Sequence, residues 1–153
     1  MNKTRFWMAI SADFQLVRLA AAALQGILHE LECEPEQAVM IELCVVEAIN
    51  NAIEHAYAQD SRGRVEIQLD LEADTLEITV TDTGRAMPKA AVVAARTGDR
   101  DVPGELRESG YGLGIITNIM GNVEYRRVGN RNVLTMAITL PRKSAAPHSQ
   151  AHV

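Results

Sequence analysis

The chain has 153 residues, 47% of them hydrophobic and 23% charged, with a formal net charge of −5 at pH 7. This length and apolar content predict one globular domain with enough chain for a core. The acidic balance excludes a chain-wide basic footprint for nucleic acid, and no apolar run approaches the roughly 20 residues of a membrane span. No signal-peptide pattern is visible, so we expect a cytoplasmic protein with no direct nucleic-acid or membrane partner.

The two cysteines, Cys33 and Cys44, lie in helical and largely apolar surroundings. They are predicted to be buried free thiols in a reducing compartment. The alternatives are a disulfide, or a metal site shared with His29 or His55, although no metal-ligand spacing is present.

The hydrophobic periodicity of the first half predicts a strand, two helices and a hairpin. In chain order these are a strand at 4–10, a helix with its N-cap at Asp13, a helix from Pro35 to about Tyr57, and strands at 65–71 and 76–82. The second helix is apolar nearly all round, which predicts heavy burial.

The second half predicts more helix, a glycine-rich region and a final hairpin. The elements are a short helix at 88–96, a mobile loop at 97–109, a helix from Leu113 to about Met120, and strands at 123–128 and 133–140. Residues 1–141 would form the domain, and 142–153 a disordered tail. The order predicts an α+β two-layer sandwich whose mixed, mainly antiparallel sheet carries helices on one face. The late glycine-rich turn argues against a Rossmann fold.

A carboxylate and an amide lie one helical turn apart in the second predicted helix. Glu47 and Asn51 therefore share a face. An amide oxygen is a good ligand for magnesium, and a carboxylate one turn earlier could accept a hydroxyl proton. The alternative is a solvated polar stripe, or an amide satisfied by backbone. His55, close by, is predicted to be a packing or hydrogen-bonding residue more readily than a catalyst.

Two glycine-containing turns complete the pattern. Asp82 ends an alternating strand and is followed at Gly84 by a residue that lets backbone approach a ligand. A carboxylate there can accept the exocyclic amine of adenine, although the same sequence also suits a plain turn. Gly110, Gly112 and Gly114 precede the predicted helix from Leu113, where bare backbone amides favour phosphate; the alternative is a flexible helix entry.

Together these three motifs resemble those of the GHKL ATPase and kinase superfamily, which includes histidine kinases and gyrase. The segments that carry the resemblance are EAINNAIEHAY (47–57), VTDTG (80–84) and SGYGLGII (109–116). Within the superfamily the chain is most similar to the anti-sigma-factor serine kinases of the RsbW and SpoIIAB type, over about residues 5–140. The resemblance implies the Bergerat ATP-binding fold and the cofactors ATP and Mg²⁺.

The same resemblance implies roles for individual residues. Glu47 would be the catalytic base, Asn51 the magnesium ligand and Asp82 the adenine anchor, with Asn50 supporting the metal ligand. The remaining nucleotide-site positions would be Gly84, Ala86, Gly110, Tyr111, Gly112, Leu113, Gly114 and Thr135. Arg18, on the first helix, aligns with an arginine that members of this branch direct toward partners.

Partner switching is the activity that this branch implies. A homodimer would phosphorylate a serine of a STAS-domain antagonist and sequester a sigma factor or similar regulator. Two departures are visible: Ala86 stands where the first glycine box often has a second glycine, and the lid lacks the usual Thr-Lys pair. Phosphate contacts would then come from Arg96, Arg100 or Arg107, or the lid would make none. The altered lid favours the alternative of a nucleotide-gated binding protein with little kinase activity, and a stand-alone ATPase is a third reading.

Overall fold

The computed structural model describes residues 3–97 and 104–141, with side chains outside 94–97 and 104–111. The strands are β1 (Thr4–Ser11), β2 (Arg64–Glu72), β3 (Thr75–Asp82), β4 (Asn122–Val128) and β5 (Arg131–Thr139). The helices are α1 (Phe14–Glu30), α2 (Pro35–Asn51), α3 (Lys89–Thr97) and α4 (Gly104–Ile119). A π-helical turn, Ala52–Ala56, continues α2 directly. Residues 98–103 of the loop predicted at 97–109, and the predicted tail at 142–153, lie outside the described residues.

The five described strands form one sheet in the order β1-β2-β3-β5-β4. All four strand pairs are antiparallel, so the sheet is antiparallel throughout rather than mixed. The pairing of β3 with β5 brings Asp82 opposite Asn132. This register matters for the site, because it joins the end of β3 to the start of β5.

The core lies between one face of the sheet and the helices, which confirms the predicted α+β sandwich. Alternate residues of the central strands, such as Ile67, Ile78 and Met136, are fully buried and belong to one cluster with helix residues such as Leu24 and Ile49. Period-two burial on strands and period-3.6 burial on helices produce this arrangement. Within the described residues, no helix is long and apolar enough to cross a membrane.

Both N-terminal helices begin where the sequence predicts. The Asp13 carboxylate accepts a hydrogen bond of 2.9 Å from the Gln15 amide, as an N-cap should. Pro35 occupies the first turn of α2, where its missing N–H costs nothing. The buried α2 residues, such as Ile41 and Ile49, belong to the core. Val39, Met40 and Leu43 are exposed, so the heavy burial predicted for α2 is wrong for one face of the helix.

Helix α4 is longer than predicted. The region 104–112, expected to be loop and turn, is helical, so the three glycines lie inside the helix and not before its N-terminus. Each glycine costs a helix roughly 1 kcal/mol relative to alanine. The burial of Leu113 and Ile116 in the core opposes that cost, and the helix-forming run from Glu105 to Glu108 extends the helix toward its start.

The opposite face of the sheet carries ion pairs across strands. Asp70 on β2 is only 4% exposed, and its carboxylate accepts hydrogen bonds from Arg5 on β1 at 2.7 Å and from Gln68 at 2.7 Å. Lys3 lies 3.5 Å from the same carboxylate. Burial alone would raise the pKa of Asp70, but these hydrogen bonds and positive charges hold it below its ordinary value.

Candidate active site

A cavity of about 340 Å³ opens between the end of α2, the β3–α3 loop and the last hairpin. Asp82 and Asn132 face one another across its base, and Asn51 and His55 line its helical wall. The other residues that line the cavity, most of them apolar, are Ala48, Ala52, Ala56, Val80, Arg85, Ala86, Met87, Pro88, Tyr125 and Leu134. A mostly apolar cleft with a few convergent polar groups is typical of a site for a small molecule with a flat ring system.

Asp82 presents one carboxylate oxygen to this cavity. Its Oδ1 accepts hydrogen bonds from the Gly84 amide at 2.8 Å and from Asn132 Nδ2 at 2.7 Å. Among the described residues no donor to Oδ2 is found, so Oδ2 is the atom that can accept from a bound ligand. Burial raises the pKa of Asp82, although these two hydrogen bonds and the charge of Arg127 partly oppose the rise.

The loop after Asp82 is fastened to the π-helical turn. A Cβ on Gly84 would lie 2.4 Å from the carbonyl oxygen of Ala56, so only glycine fits at this close approach. The next amide, that of Arg85, donates to the same Ala56 oxygen at 2.8 Å. A π-helical turn commonly occurs at functional sites, and here it carries Ala56, whose carbonyl oxygen contacts the loop that lines the cavity.

Glu47 and Asn51 converge on the same point of α4, as their spacing predicts. A Cβ on Gly112 would lie 2.8 Å from Glu47 Oε2 and 3.1 Å from Asn51 Nδ2. The Nδ2 atom of Asn51 is buried and has no hydrogen-bond partner among the described residues. A buried amide donor without a partner needs an acceptor, which a phosphate oxygen would supply, while the Oδ1 of the same side chain is a suitable ligand for magnesium. The residues present therefore fit a Mg–nucleotide group.

The structure places three of the predicted features of the nucleotide site differently from the expectation. The three glycines offer no helix N-terminus, because Gly110, Gly112 and Gly114 are internal to α4. Leu113 is 2% exposed and packs in the core instead of lining the cavity. Thr135 lies between the inward-facing Leu134 and Met136, so strand alternation directs it to the opposite face of the sheet.

The other predicted site residues differ in their distance from the cavity and in their exposure. Ala86 lines the cavity beside Asp82, and Gly84 fixes the same loop. Asn50 is half-buried on α2 next to Asn51, and Arg18 is exposed on α1. The side chains of Tyr111, Arg96, Arg100 and Arg107 lie outside the described residues.

Asn132 is the site residue that the sequence analysis missed. It is 2% exposed, lines the cavity and binds Asp82 directly. A polar residue at an inward-facing position of an alternating strand was the available signal, because such a residue must be satisfied by a partner.

Both cysteines are free, as predicted. Cys44 is fully buried on α2, where burial and the nearby Glu47 charge raise its pKa to about 11. Cys33 is half-buried, and burial raises its pKa as well. No group of three or more potential metal-ligating side chains occurs in the described part of the chain. Neither cysteine lines the cavity.

Comparison with known proteins agrees with this geometry. Residues 10–138 match the model of the histidine kinase-like ATPase domain. The chain is 29% identical to the serine-protein kinase RsbW of Bacillus subtilis over 135 residues, which cover 86% of this chain and 82% of that protein. It is also 29% identical to the anti-sigma F factor of Anoxybacillus flavithermus, over 90% of this chain and 91% of that one.

Solved structures share the fold. The RsbU and RsbW domains of a Mycobacterium tuberculosis protein superpose with a TM-score of 0.66 at 19% identity, over 92% of this chain but 34% of that longer one. A chain of the SiaB–SiaC complex of Pseudomonas aeruginosa gives a TM-score of 0.62 at 14% identity, over 87% and 88% of the two chains. These likenesses confirm the predicted GHKL fold.

The chain belongs to the histidine kinase-like ATPase domain family. Within that family, its relatives place it with the ATP-dependent kinases of the RsbW and anti-sigma F type.

Proposed function

We propose that this protein is a serine kinase that transfers the γ-phosphoryl group of Mg-ATP to a STAS-domain antagonist and, in its other state, holds a sigma factor or similar regulator. The observation that carries the proposal is the convergence of Glu47 and the unpartnered Asn51 amide beside a cavity whose far end is Asp82. These residues would supply a general base for the substrate hydroxyl, a ligand for the metal ion and a group that binds adenine. Phosphoryl transfer from ATP needs groups with these functions.

Each residue contributes one function to the proposed reaction. Asp82 Oδ2 would accept a hydrogen bond from the exocyclic amine of adenine. The side-chain oxygen of Asn51 would bind the magnesium ion. That ion, when bound, neutralises the charge that develops on the phosphate oxygens. Glu47 accepts the proton of the substrate serine as its oxygen forms the new bond to phosphorus, while the bond to the β-phosphate oxygen breaks and ADP leaves.

The proposed partners rest on the named relatives. A serine-protein kinase and an anti-sigma F factor resemble this chain over most of its length, and one structural neighbour was solved in complex with a second protein, SiaC. We therefore propose a STAS-domain antagonist as substrate, a sigma factor or analogous regulator as the sequestered partner, a homodimer as the working form, and the cytoplasm as the location. Arg18, exposed on α1, is the proposed partner contact.

A second candidate function has one observation in its favour. Helix α4 places Gly112 against Glu47 and Asn51, and no helix N-terminus is offered to the phosphates by the described residues of this segment. A protein that keeps this arrangement would bind a partner under nucleotide control and transfer phosphate slowly or not at all.

The deciding experiment measures label transfer from γ-labelled ATP to the STAS-domain protein encoded nearest to this one, with and without magnesium. We expect one labelled serine, and loss of transfer by about 100-fold or more in Glu47→Gln with ATP affinity kept. Asn51→Ala should lose magnesium-dependent binding while keeping the fold.

Matched controls sit on the same chain. Glu54→Gln changes an exposed glutamate two turns beyond Glu47, and Asn122→Ala changes an exposed asparagine on β4. Both should transfer phosphate like the unmodified protein. Tight ATP binding without transfer would favour the nucleotide-gated binding protein, and full activity in Glu47→Gln would overturn the catalytic role of that residue.

A further inference from the structure

Asn132 is a buried hydrogen-bonding centre at the base of the cavity. Its Nδ2 donates to Asp82 Oδ1 at 2.7 Å, to the Arg85 carbonyl at 2.9 Å and to the Gly84 carbonyl at 3.3 Å. Its Oδ1 accepts from Arg127 Nη1 at 2.7 Å and from the Tyr125 hydroxyl at 3.1 Å. Only an amide side chain combines donors and an acceptor in this way.

The first consequence concerns the orientation of Asp82. Asn132 and the Gly84 amide both bind Oδ1, which restrains the carboxylate and leaves Oδ2 without a donor among the described residues. A carboxylate free to rotate would have to be ordered when the nucleotide binds, and ordering costs free energy. Asn132 also lines the cavity itself, so a base in contact with Asp82 would lie close to this amide.

The second consequence concerns the loop that follows β3. Asn132 Nδ2 reaches the carbonyls of Gly84 and Arg85, and Arg127 donates to the Gly84 carbonyl at 3.0 Å. The Tyr125 hydroxyl, which donates to Asn132, accepts the Met87 amide at 2.7 Å. Residues 85–87 line one wall of the cavity. Asn132 therefore contacts both the loop that carries this wall and the carboxylate of Asp82.

We propose that Asn132 is a positioning residue for nucleotide selection: it aims Asp82 at the exocyclic amine of adenine and couples that contact to the order of residues 84–87. This inference rests on the proposed function, because it assigns a partner to Asp82 in the same site. It predicts that discrimination between purine bases depends on a residue of β5 that need not touch the phosphates or the substrate serine.

The test compares ATP with inosine triphosphate, which carries an oxo group where ATP has its exocyclic amine. In Asn132→Leu, which keeps side-chain size but removes the amide, we expect the Kd for ATP to rise about 10- to 100-fold. The Kd for inosine triphosphate should rise at least about 3-fold less than the Kd for ATP, because its 6-oxo group cannot donate the hydrogen bond that Asp82 accepts from the exocyclic amine of ATP. Asn122→Leu, at an exposed asparagine of β4, is the matched control and should leave both affinities unchanged.

A second variant keeps the test decisive if Asn132→Leu does not fold. Tyr125→Phe removes a hydroxyl that binds both Asn132 and the Met87 amide, but leaves the Asp82–Asn132 contact in place. Hydrogen exchange at the Met87 amide should accelerate, and the Kd for ATP should rise about 3- to 10-fold with that for inosine triphosphate little changed. Unchanged exchange and unchanged selectivity would overturn the coupling.

The pH dependence of binding supplies a third readout. Arg127 and Tyr125 on β4 lie near Asp82, and His55 and Arg85 line the same cavity. Asn132→Leu keeps all four residues, although Arg127 and Tyr125 lose their hydrogen bonds to Asn132. Because the Asn132 hydrogen bond lowers the pKa of Asp82, its loss should move the acid limb of ATP binding to higher pH. An identical acid limb in the variant and the unmodified protein would contradict a positioning role.

The outcomes also separate this inference from the proposed function. If the unmodified protein binds neither nucleotide, the proposed function fails. If it prefers ATP to inosine triphosphate and a folded Asn132→Leu keeps that preference, the proposed function stands and the role of Asn132 is wrong. An equal loss of affinity for both nucleotides would indicate a structural residue only, which also overturns the inference.

Discussion

At the scale of single residues, Asp82 is the group that links nucleotide binding to stability. Burial raises its pKa in the folded protein above the ordinary value of 3.8. A carboxyl group of this kind stabilises the fold fully only below its unfolded pKa, and that contribution is lost as the pH rises through the folded pKa. At neutral pH the ionised carboxylate of Asp82 therefore lowers the stability of the fold. Its place in the cavity is consistent with a role in binding a ligand.

The exchange Asp82→Asn tests this balance. The variant can still accept from the Gly84 amide but cannot carry charge, so we expect an unchanged Tm or a rise of about 1–4 °C. ATP affinity should fall about 10- to 100-fold. Thermal unfolding and ATP titration at pH 7 measure the two effects, with Asp74→Asn in the β2–β3 turn as control. A large drop in Tm would show that the carboxylate holds the fold together.

At the scale of elements, α4 contains glycines in opposite environments. An alanine Cβ at Gly112 would press against Glu47 and Asn51, whereas at Gly114 nothing lies within 4 Å. Glycine at Gly112 therefore permits the close packing of α4 on α2 that brings these polar groups together. Glycine at position 114 also weakens the helix, but it permits no comparable close contact with another element.

Two alanine variants separate these roles. Gly114→Ala should raise the free energy of unfolding by about 0.5–1 kcal/mol through helix propensity. Gly112→Ala should be at least about 0.5 kcal/mol less stable than Gly114→Ala, because the added methyl group would lie 2.8 Å from Glu47 Oε2 and 3.1 Å from Asn51 Nδ2, and these side chains would have to shift. Urea unfolding of the two proteins is the measurement. Equal stabilisation by both substitutions would mean that α4 does not pack on α2 as described.

The prediction of α4 shows why an element can be misjudged from local signals. Three glycines within five residues and a charged, proline-containing segment before them favour a loop by composition. The helix forms because Leu113 and Ile116 are buried against α2 and the sheet. Tertiary burial of apolar side chains outweighs a local propensity that differs by about 1 kcal/mol per glycine.

At the scale of the whole molecule, the edge strand β1 is tied to the sheet by charge as well as by its backbone ladder. The pKa of the almost fully buried Asp70 is held below its ordinary value of 3.8 by the contacts from Arg5, Gln68 and Lys3. A lowered folded pKa gives stability that is present above the unfolded pKa and is lost as the pH falls through the folded pKa.

The exchange Asp70→Asn should therefore destabilise the protein in a pH-dependent way. We expect a loss of about 1–3 kcal/mol at pH 7, because charge-assisted hydrogen bonds are replaced by neutral ones. The difference from the unmodified protein should shrink as the pH falls below about 4. Asp60→Asn, at an exposed pair with Arg62, is the control and should change little. A loss that persists undiminished at low pH would contradict the ionic origin.

Much of the site could be predicted from the sequence because its signals are local. The helical spacing of Glu47 and Asn51 puts them on one face whatever surrounds them, and the strand alternation that ends at Asp82 locates a carboxylate at the edge of the sheet. The order of strands and helices likewise predicts the α+β sandwich.

Only the tertiary structure decided the rest, since long-range register has no local signature. Asn132 meets Asp82 across 50 residues because antiparallel pairing of β3 with β5 places them opposite one another. The same register turns Thr135 to the other face, since a shift of one residue reverses the direction of a strand side chain. Local sequence determined which residues could do chemistry here, and strand pairing and core burial determined which of them meet.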